Sequence, residues 1–433
     1  MLIYNAILVD GGKCRRGYVR VSGGLIAEVG CGNPPESAVS ADATDARGAM
    51  LMPGMVDTHV HFREPGLTHK ATIASESRAA LAGGITTAFD MPNCMPPTLT
   101  AAEAIAKADI ARRSSAIRMR FFVGASAANA DALRALDPAA PWLAGIKLFM
   151  GSSTGNMAVG SDSAVDDVFR IAADKGLVLM VHAEDDAVIS RNTAALRASG
   201  GGDDIADIAV HSRIRSAEAC LSASRRAVEL ALRHGTRLHI AHITTAAEIE
   251  MLSSLRAGGI TSVTGEATPL HLTFCADDYT ALGTRIKVNP SVKDSVDRLA
   301  LRGAVASGVI STIGTDHAPH LPAEKAGGAL RAASGAPMVQ FALPLLLSLF
   351  SPETVVERFA AAPARLFGLD DRGRLCPGCL ADMVLVRPCE EYQVGDSDVI
   401  SPCGWTPLAG HTLRHRIERV WLGGRDQTSS SIE

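Results

Sequence analysis

The sequence predicts an α/β chain: a (β/α)8 TIM-type barrel carrying a small β-sandwich domain formed by both termini. Three observations predict it. Apolar strand-like runs alternate with alanine-rich helical stretches through the middle of the 433-residue chain. Both ends show small-sheet patterning without helices. Polar residues of metal-binding type recur where the strand-like runs end.

The elements follow in order. LIYNAILVD, GYVRVSGGLIAEVG and SADATDARGAM alternate short apolar runs with turns over residues 1–50, as small strands do. GRLCPGCLADMVLVRP and HRIERVWLGGR behave alike near the C-terminus. Residues 1–52 and 368–433 are therefore expected to form one β-rich domain, with 53–367 inserted between them as the barrel. Within the insert, strand-like runs fall at 52–61, 84–92, 117–124, 144–151, 176–184, 236–244, 259–267 and 308–317. Between most of them lie segments with helical spacing, such as 74–84, 166–176, 216–235 and 246–259. Alternating β and α units imply parallel strands with helices packed outside. Eight such units over about 310 residues fit a closed barrel. An open doubly wound sheet would offer a glycine-rich phosphate turn after its first strand, and the run after residue 61 has none.

Composition excludes several classes. Hydrophobic residues make up 47 % and charged residues 20 %, and the net charge of −4 comes without a Lys/Arg stripe, so nucleic acid is not an expected partner. The apolar run 338–350 contains Pro344 and is too short to span a membrane. It reads as a buried helix. The first residues lack a charged start and a long apolar centre, so a cytoplasmic location is expected. Nine cysteines, an odd number scattered along the chain, argue against a disulfide framework. Cys376-Pro-Gly-Cys379 has no second pair at zinc-knuckle spacing and reads as a turn between short strands.

The strand ends carry the chemistry. The first run supplies Asp57, His59 and His61, with Arg63 beyond it. Later runs supply Asp90 and Asn93, Lys147, His182, His242, Glu266, and Asp316 followed by His317 and His320. A barrel gathers these ends on one rim. Side chains alternate with period two, so Asp57, His59 and His61 share a face. Imidazoles suit zinc and similar ions, and Asp57 is expected to orient one of them. His239 and His242 face opposite ways, so His242 is assigned to the rim and His239 to the structure. Lys147 is the odd member, because an ammonium repels metal ions. Either it reacts with carbon dioxide to give an anionic carbamate, or it reaches for substrate; spacing leaves both open.

In order, DTHVHFREPG, AGGITTAFDMPNCMPPT, GIKLFMG, VHAED, IAHIT, GEATPLHL and IGTDHAPH resemble the amidohydrolase superfamily of metal-dependent cyclic amidases. HFREPG, MPN and TDHAPH look most like the dihydroorotases, over nearly the whole chain. The resemblance implies two divalent metal ions, zinc by expectation. His59, His61 and Asp316 would hold one, and His182 and His242 the other. A carboxylated Lys147, made with carbon dioxide, and a hydroxide would bridge both. Asp316 would also be the proton shuttle. Arg63, Asn93 and His320 resemble the residues that bind a substrate carboxylate, and Asn289 one that contacts a pyrimidine ring. Glu266 and His271 match a segment near the site. The implied reaction is reversible hydrolysis of dihydroorotate to N-carbamoyl-aspartate in pyrimidine biosynthesis. The implied partner is a small molecule, with either a homodimer or association with other pyrimidine-pathway enzymes. Two segments depart from the family pattern: GAPMVQFALPLL, with Met338 for glycine and Gln340 for glutamate, and NPSVK for NPPLR. Both are expected to contact the ring. The stretch after His320 reads as a mobile lid by its Gly and Ala content.

Overall fold

The computed structural model describes residues 1–151, 157–159, 161–201 and 206–428. The serine-rich run 152–156, which follows the GIKLFMG motif, lies outside them, as do residues 429–433. The chain enters through β1 (Leu2–Asp10), β2 (Lys13–Ser22), β3 (Leu25–Cys31), β4 (Thr44–Asp45) and β5 (Met50–Pro53). Eight barrel strands follow: β6 (Met55–Val60), β7 (Ile85–Asp90), β8 (Arg118–Gly124), β9 (Leu143–Phe149), β10 (Val178–His182), β11 (Arg237–Ile240), β12 (Val263–Ala267) and β13 (Thr312–Ile313). The chain ends in β14 (Met383–Gln393), β15 (Thr412–Leu422) and β16 (Arg425–Asp426).

All eight predicted barrel strands are present and run parallel in chain order. The last gap, between β13 and β6, is closed by loop residues. His61 N donates to His317 O at 2.8 Å, and Val60 bridges His317. Outside lie helices such as Ile73–Ala82, Ala101–Ser114, Asp162–Lys175, Ala217–His234 and Ala246–Ala257. Their ends are set by local chemistry. Thr72, Thr100 and Thr245 cap the first turns through reciprocal side-chain bonds, which satisfy otherwise orphaned N–H groups. Gly235 stops Ala217–His234 at φ +73, a conformation that costs other residues a Cβ clash.

Below the rim the barrel is packed with side chains. Met180 shares a face with His182 by strand alternation and clusters with Phe89, Phe122 and Phe367. Those three phenylalanines meet edge to face, with centroids 5.0–6.2 Å apart, the arrangement aromatic quadrupoles favour. Residues lining the rim therefore stand on a closed apolar floor.

The termini join in one sheet of order β16-β15-β14-β5-β1-β2-β3, with β4 on β1. It has its own core, including Ile3, Leu8, Leu385 and Trp421, while Val384, Val386 and Val420 belong to the barrel's core. The excursion between β14 and β15 turns back over the barrel rim. Its Trp405, Leu408 and Cys403 are buried with Phe274, Val288 and Phe341.

Candidate active site

The C-terminal strand ends surround a cleft, the rim where a barrel of this kind gathers its active site. His59, His61, Lys147, His182, His242 and Asp316 all line it, together with Arg63 and Asn289. His59, His242 and Asp316 offer ligand atoms within 4.8 Å of one another. Asp316 Oδ1 lies 3.1 Å from His61 Nε2 and 3.3 Å from His59 Nε2. His182 Nδ1 faces His242 Nε2 at 3.0 Å. The two expected ligand sets thus meet in one space.

The imidazoles are aimed from behind. Glu266 Oε1 accepts from His59 Nδ1 at 2.7 Å and Asn93 Oδ1 from His61 Nδ1 at 2.6 Å. Each acceptor keeps the proton on Nδ1 and turns the Nε2 lone pair to the cleft. Glu184 Oε2 sits 3.0 Å from His182 Nε2, outside hydrogen-bond geometry, and also pairs with Arg215. Burial alone would raise Glu184, but Arg215 and His182 outweigh it and hold it at about 2. Burial also pushes Asp316 up, yet His59, His61 and Lys147 bring it to about 2. His61 is lowered to about 4 by burial against the pull of Asp316. Burial lowers His182 and His242 as well, so at neutral pH these three imidazoles are neutral and Asp316 and Glu184 are ionised, the states that bind metal.

The expectation for Asp57 is corrected. Its oxygens accept from Thr315 N and Oγ1 and from His59 N. It fastens the closing seam of the barrel, and Glu266 does the imidazole orienting. Strand alternation gives the face of a side chain but not its partner. His239 bonds Thr264 and Thr312 hydroxyls, away from the cleft lining. His271 bonds Thr268 Oγ1 and Pro290 O, and so steadies the turn that carries Asn289.

Lys147 is fully buried, and its Nζ has no hydrogen-bond partner among the described residues. The Phe149 ring lies 5.2 Å away. Burial lowers its pKa to about 8 against the attraction of Glu266 and Asp316. A stranded buried ammonium is costly, whereas a neutral amine of this kind is the form that attacks carbon dioxide. The donor set of imidazole nitrogens and carboxylate, with an unpartnered amine beside it, fits divalent metal.

Arg63 is 4 % exposed. It pairs with no carboxylate among the described residues: Nε donates to Pro319 O at 3.0 Å and Nη2 lies 3.1 Å from His320 Nε2. Glu64, its neighbour, accepts instead from Ile73 N. Asn93 and His320 do not line the cleft. Asn93 holds His61, and His320 packs between Arg63 and Lys70. Burial and those two cations push His320 down to about 2, so it stays neutral. Asn289 Oδ1 is buried without a partner among the described residues.

Each departing segment reaches the cleft at one residue, Gly335 and Asn289, while the departing residues themselves lie off it. Met338 is packed with Phe341 and Trp405, and the Gln340 amide bonds Asp398 O and Ile400 N. Neither lines the cleft, and of NPSVK only Asn289 does. The stretch after His320 is anchored as well. Lys325, 5 % exposed, donates from Nζ to Lys287 O, Ala333 O and Gly335 O at 2.8–3.0 Å. Sequence reading also missed Glu184 and Phe149, although each stands two residues from a rim residue and period two puts both pairs on one face. Arg63, His242 and Asp316 have φ of +69, +39 and +48. Left-handed backbone at non-glycine residues is costly and collects at functional sites.

A barrel with this rim is the framework of a hydrolase. The chain belongs to the amidohydrolase family, whose model matches residues 50–425, and its class of reaction is hydrolysis of cyclic amides. It is 39 % identical over 420 residues to a dihydroorotase of Halobacterium salinarum, covering 95 % of this chain and 92 % of that one. It is 32 % identical to an allantoinase of Bacillus velezensis, with 98 % and 93 % covered. Among solved structures it matches an L-hydantoinase (dihydropyrimidinase) from Arthrobacter aurescens at a TM-score of 0.92 and 27 % identity, covering 98 % and 95 %.

Proposed function

We propose that the protein is a dihydroorotase, interconverting dihydroorotate and N-carbamoyl-aspartate. The observation that carries this is Arg63: a buried guanidinium on the cleft wall with no carboxylate partner among the described residues. An uncompensated buried cation is costly, and a substrate carboxylate offsets it through a bidentate pair. Dihydroorotate carries that carboxylate on its ring. Allantoin and simple hydantoins do not. The HFREPG, MPN and TDHAPH motifs and the Halobacterium relative support the same reading.

His59, His61 and Asp316 would hold one divalent cation, and His182 and His242 a second, with carboxylated Lys147 shared. When bound, such a pair supplies a nucleophile from water near neutral pH and polarises the amide carbonyl. The chain's residues do the rest. Arg63 fixes the carboxylate, and Asn289 presents an acceptor to the ring. Asp316 is ionised at neutral pH. It takes the proton of the attacking water and passes it to the leaving ring nitrogen, as base and then acid.

The test is turnover of dihydroorotate, allantoin and hydantoin on one sample of known metal content. Dihydroorotate is expected to be the preferred substrate. Arg63→Met should raise its KM by about 100-fold, as loss of a bidentate charged contact does. Preference for an uncharged ring, or an unchanged KM, overturns the reading.

A further inference from the structure

Cys376-Pro-Gly-Cys379 is the one motif that the cleft chemistry leaves unused. It folds as a turn in which Cys379 N donates to Cys376 O at 3.1 Å and Gly378 takes φ +89. Proline second and a left-handed glycine third are the marks of a type II turn. Such a turn brings its end Cα atoms within about 7 Å, inside the span that a disulfide bridges. The two Sγ atoms already stand 3.0 Å apart. Ile26 of β3 pins the turn on both sides, donating to Cys379 O at 2.8 Å and accepting from Gly378 N at 2.9 Å. Cys376 is partly exposed, and Cys379 is 3 % exposed.

A metal knuckle does not account for the pair. Among the described residues the cluster of three or more metal-type side chains is at the barrel rim, and beyond Cys376 the Cys379 sulfur meets only Asp370 O, at 4.0 Å. Two sulfurs fall short of the four ligands that a structural zinc takes.

We propose that Cys376 and Cys379 form a redox-active dithiol that closes to an intramolecular disulfide by exchange with a small-molecule disulfide. The accessible Cys376, as thiolate, attacks one sulfur of the oxidant. The S–S bond of the oxidant breaks, one thiolate leaves, and a mixed disulfide stands at Cys376. Cys379 then loses its proton to solvent and attacks Cys376 Sγ, and the second thiolate of the oxidant leaves. Two protein thiols are oxidised and one disulfide is reduced to two thiols. Burial and the neighbouring Cys376 sulfur push the Cys379 thiol up to about 12, so the second step is the slow one. The bond closes a very short loop, which adds little stability and leaves it open to reduction.

The experiment incubates the full chain with oxidised glutathione, alkylates free thiols, and maps each cysteine by peptide mass. Expected is an unalkylated peptide with Cys376 joined to Cys379, restored to two alkylated thiols by a reductant. Cys379→Ser should stop at a glutathione adduct on Cys376, and Cys376→Ser should leave Cys379 as a free thiol. Turnover of all three reduced proteins should agree within about twofold, showing them folded. Full alkylation of both cysteines after oxidant, or an adduct on wild-type Cys376 that never resolves onto Cys379, overturns the proposal.

Discussion

Asp316 shows how much one residue carries. It touches His59 and His61, lines the cleft and sits at φ +48. Asp316→Asn keeps shape and hydrogen bonding but cannot take up a proton. Turnover should fall by about 10²–10⁴-fold, the range for loss of a general base, while metal measured on the same sample remains bound. Near-normal turnover would remove Asp316 from the proton path. Lys147→Ala is a complementary case. Cation content and activity should both drop, and a short carboxylic acid added to the buffer should restore part of each. A variant that still binds two cations unaided would rule out the carbamate. The ligand histidines were legible in sequence because strand period and strand end are local properties. The partners of Asp57, Asn93 and Glu184 were not, because Thr315, His61 and Arg215 lie far away in sequence.

Among the elements, the strands and helices of the barrel could be read from apolar strand-like runs and helical spacing, since both signals lie within a few residues. The segment 321–337 could not. Its glycines and alanines describe a flexible chain, but a single buried side chain decides its state. Lys325 ties three carbonyls, and Gly335 N donates to Lys287 O. Ser334 and Gly335 in turn line the cleft. Lys325→Met keeps length but removes every donor. Each stranded buried carbonyl costs about 1–3 kcal/mol, less whatever water recovers. KM for the ring substrate should rise about tenfold or more, with kcat less affected, and limited proteolysis should cut within 321–337. An unchanged KM with an intact segment would show that the clamp is dispensable.

Taken whole, the molecule is more tightly joined than an inserted barrel on a separate sheet. The sequence marked two β-rich ends, but the excursion between β14 and β15 has no periodic signal that announces its return to the rim. There Trp405 Nε1 donates to His320 O at 2.8 Å, and Arg285 pairs with Asp396. A second joint lies at the far end of the barrel. Asp382, 4 % exposed, precedes β14 and accepts from Arg118 Nε at 2.7 Å and Nη2 at 3.2 Å. Gly423 N donates to the same carboxylate at 2.7 Å. Arg118 opens β8, so this bond ties the N-terminal end of a barrel strand to the sheet of the termini. Arg118 is 38 % exposed, and solvent screens the ion pair; the stranded Gly423 amide dominates the loss. Asp382→Ala should therefore cost about 2 kcal/mol. For a chain of this size that lowers Tm by about 2–4 °C. The cleft stands at the opposite strand ends, so kcat and KM should stay within about twofold. Melting followed by both circular dichroism and residual activity should give one coincident transition, because the sheet and barrel share core side chains. Two separated transitions would show that the sheet and the barrel unfold independently.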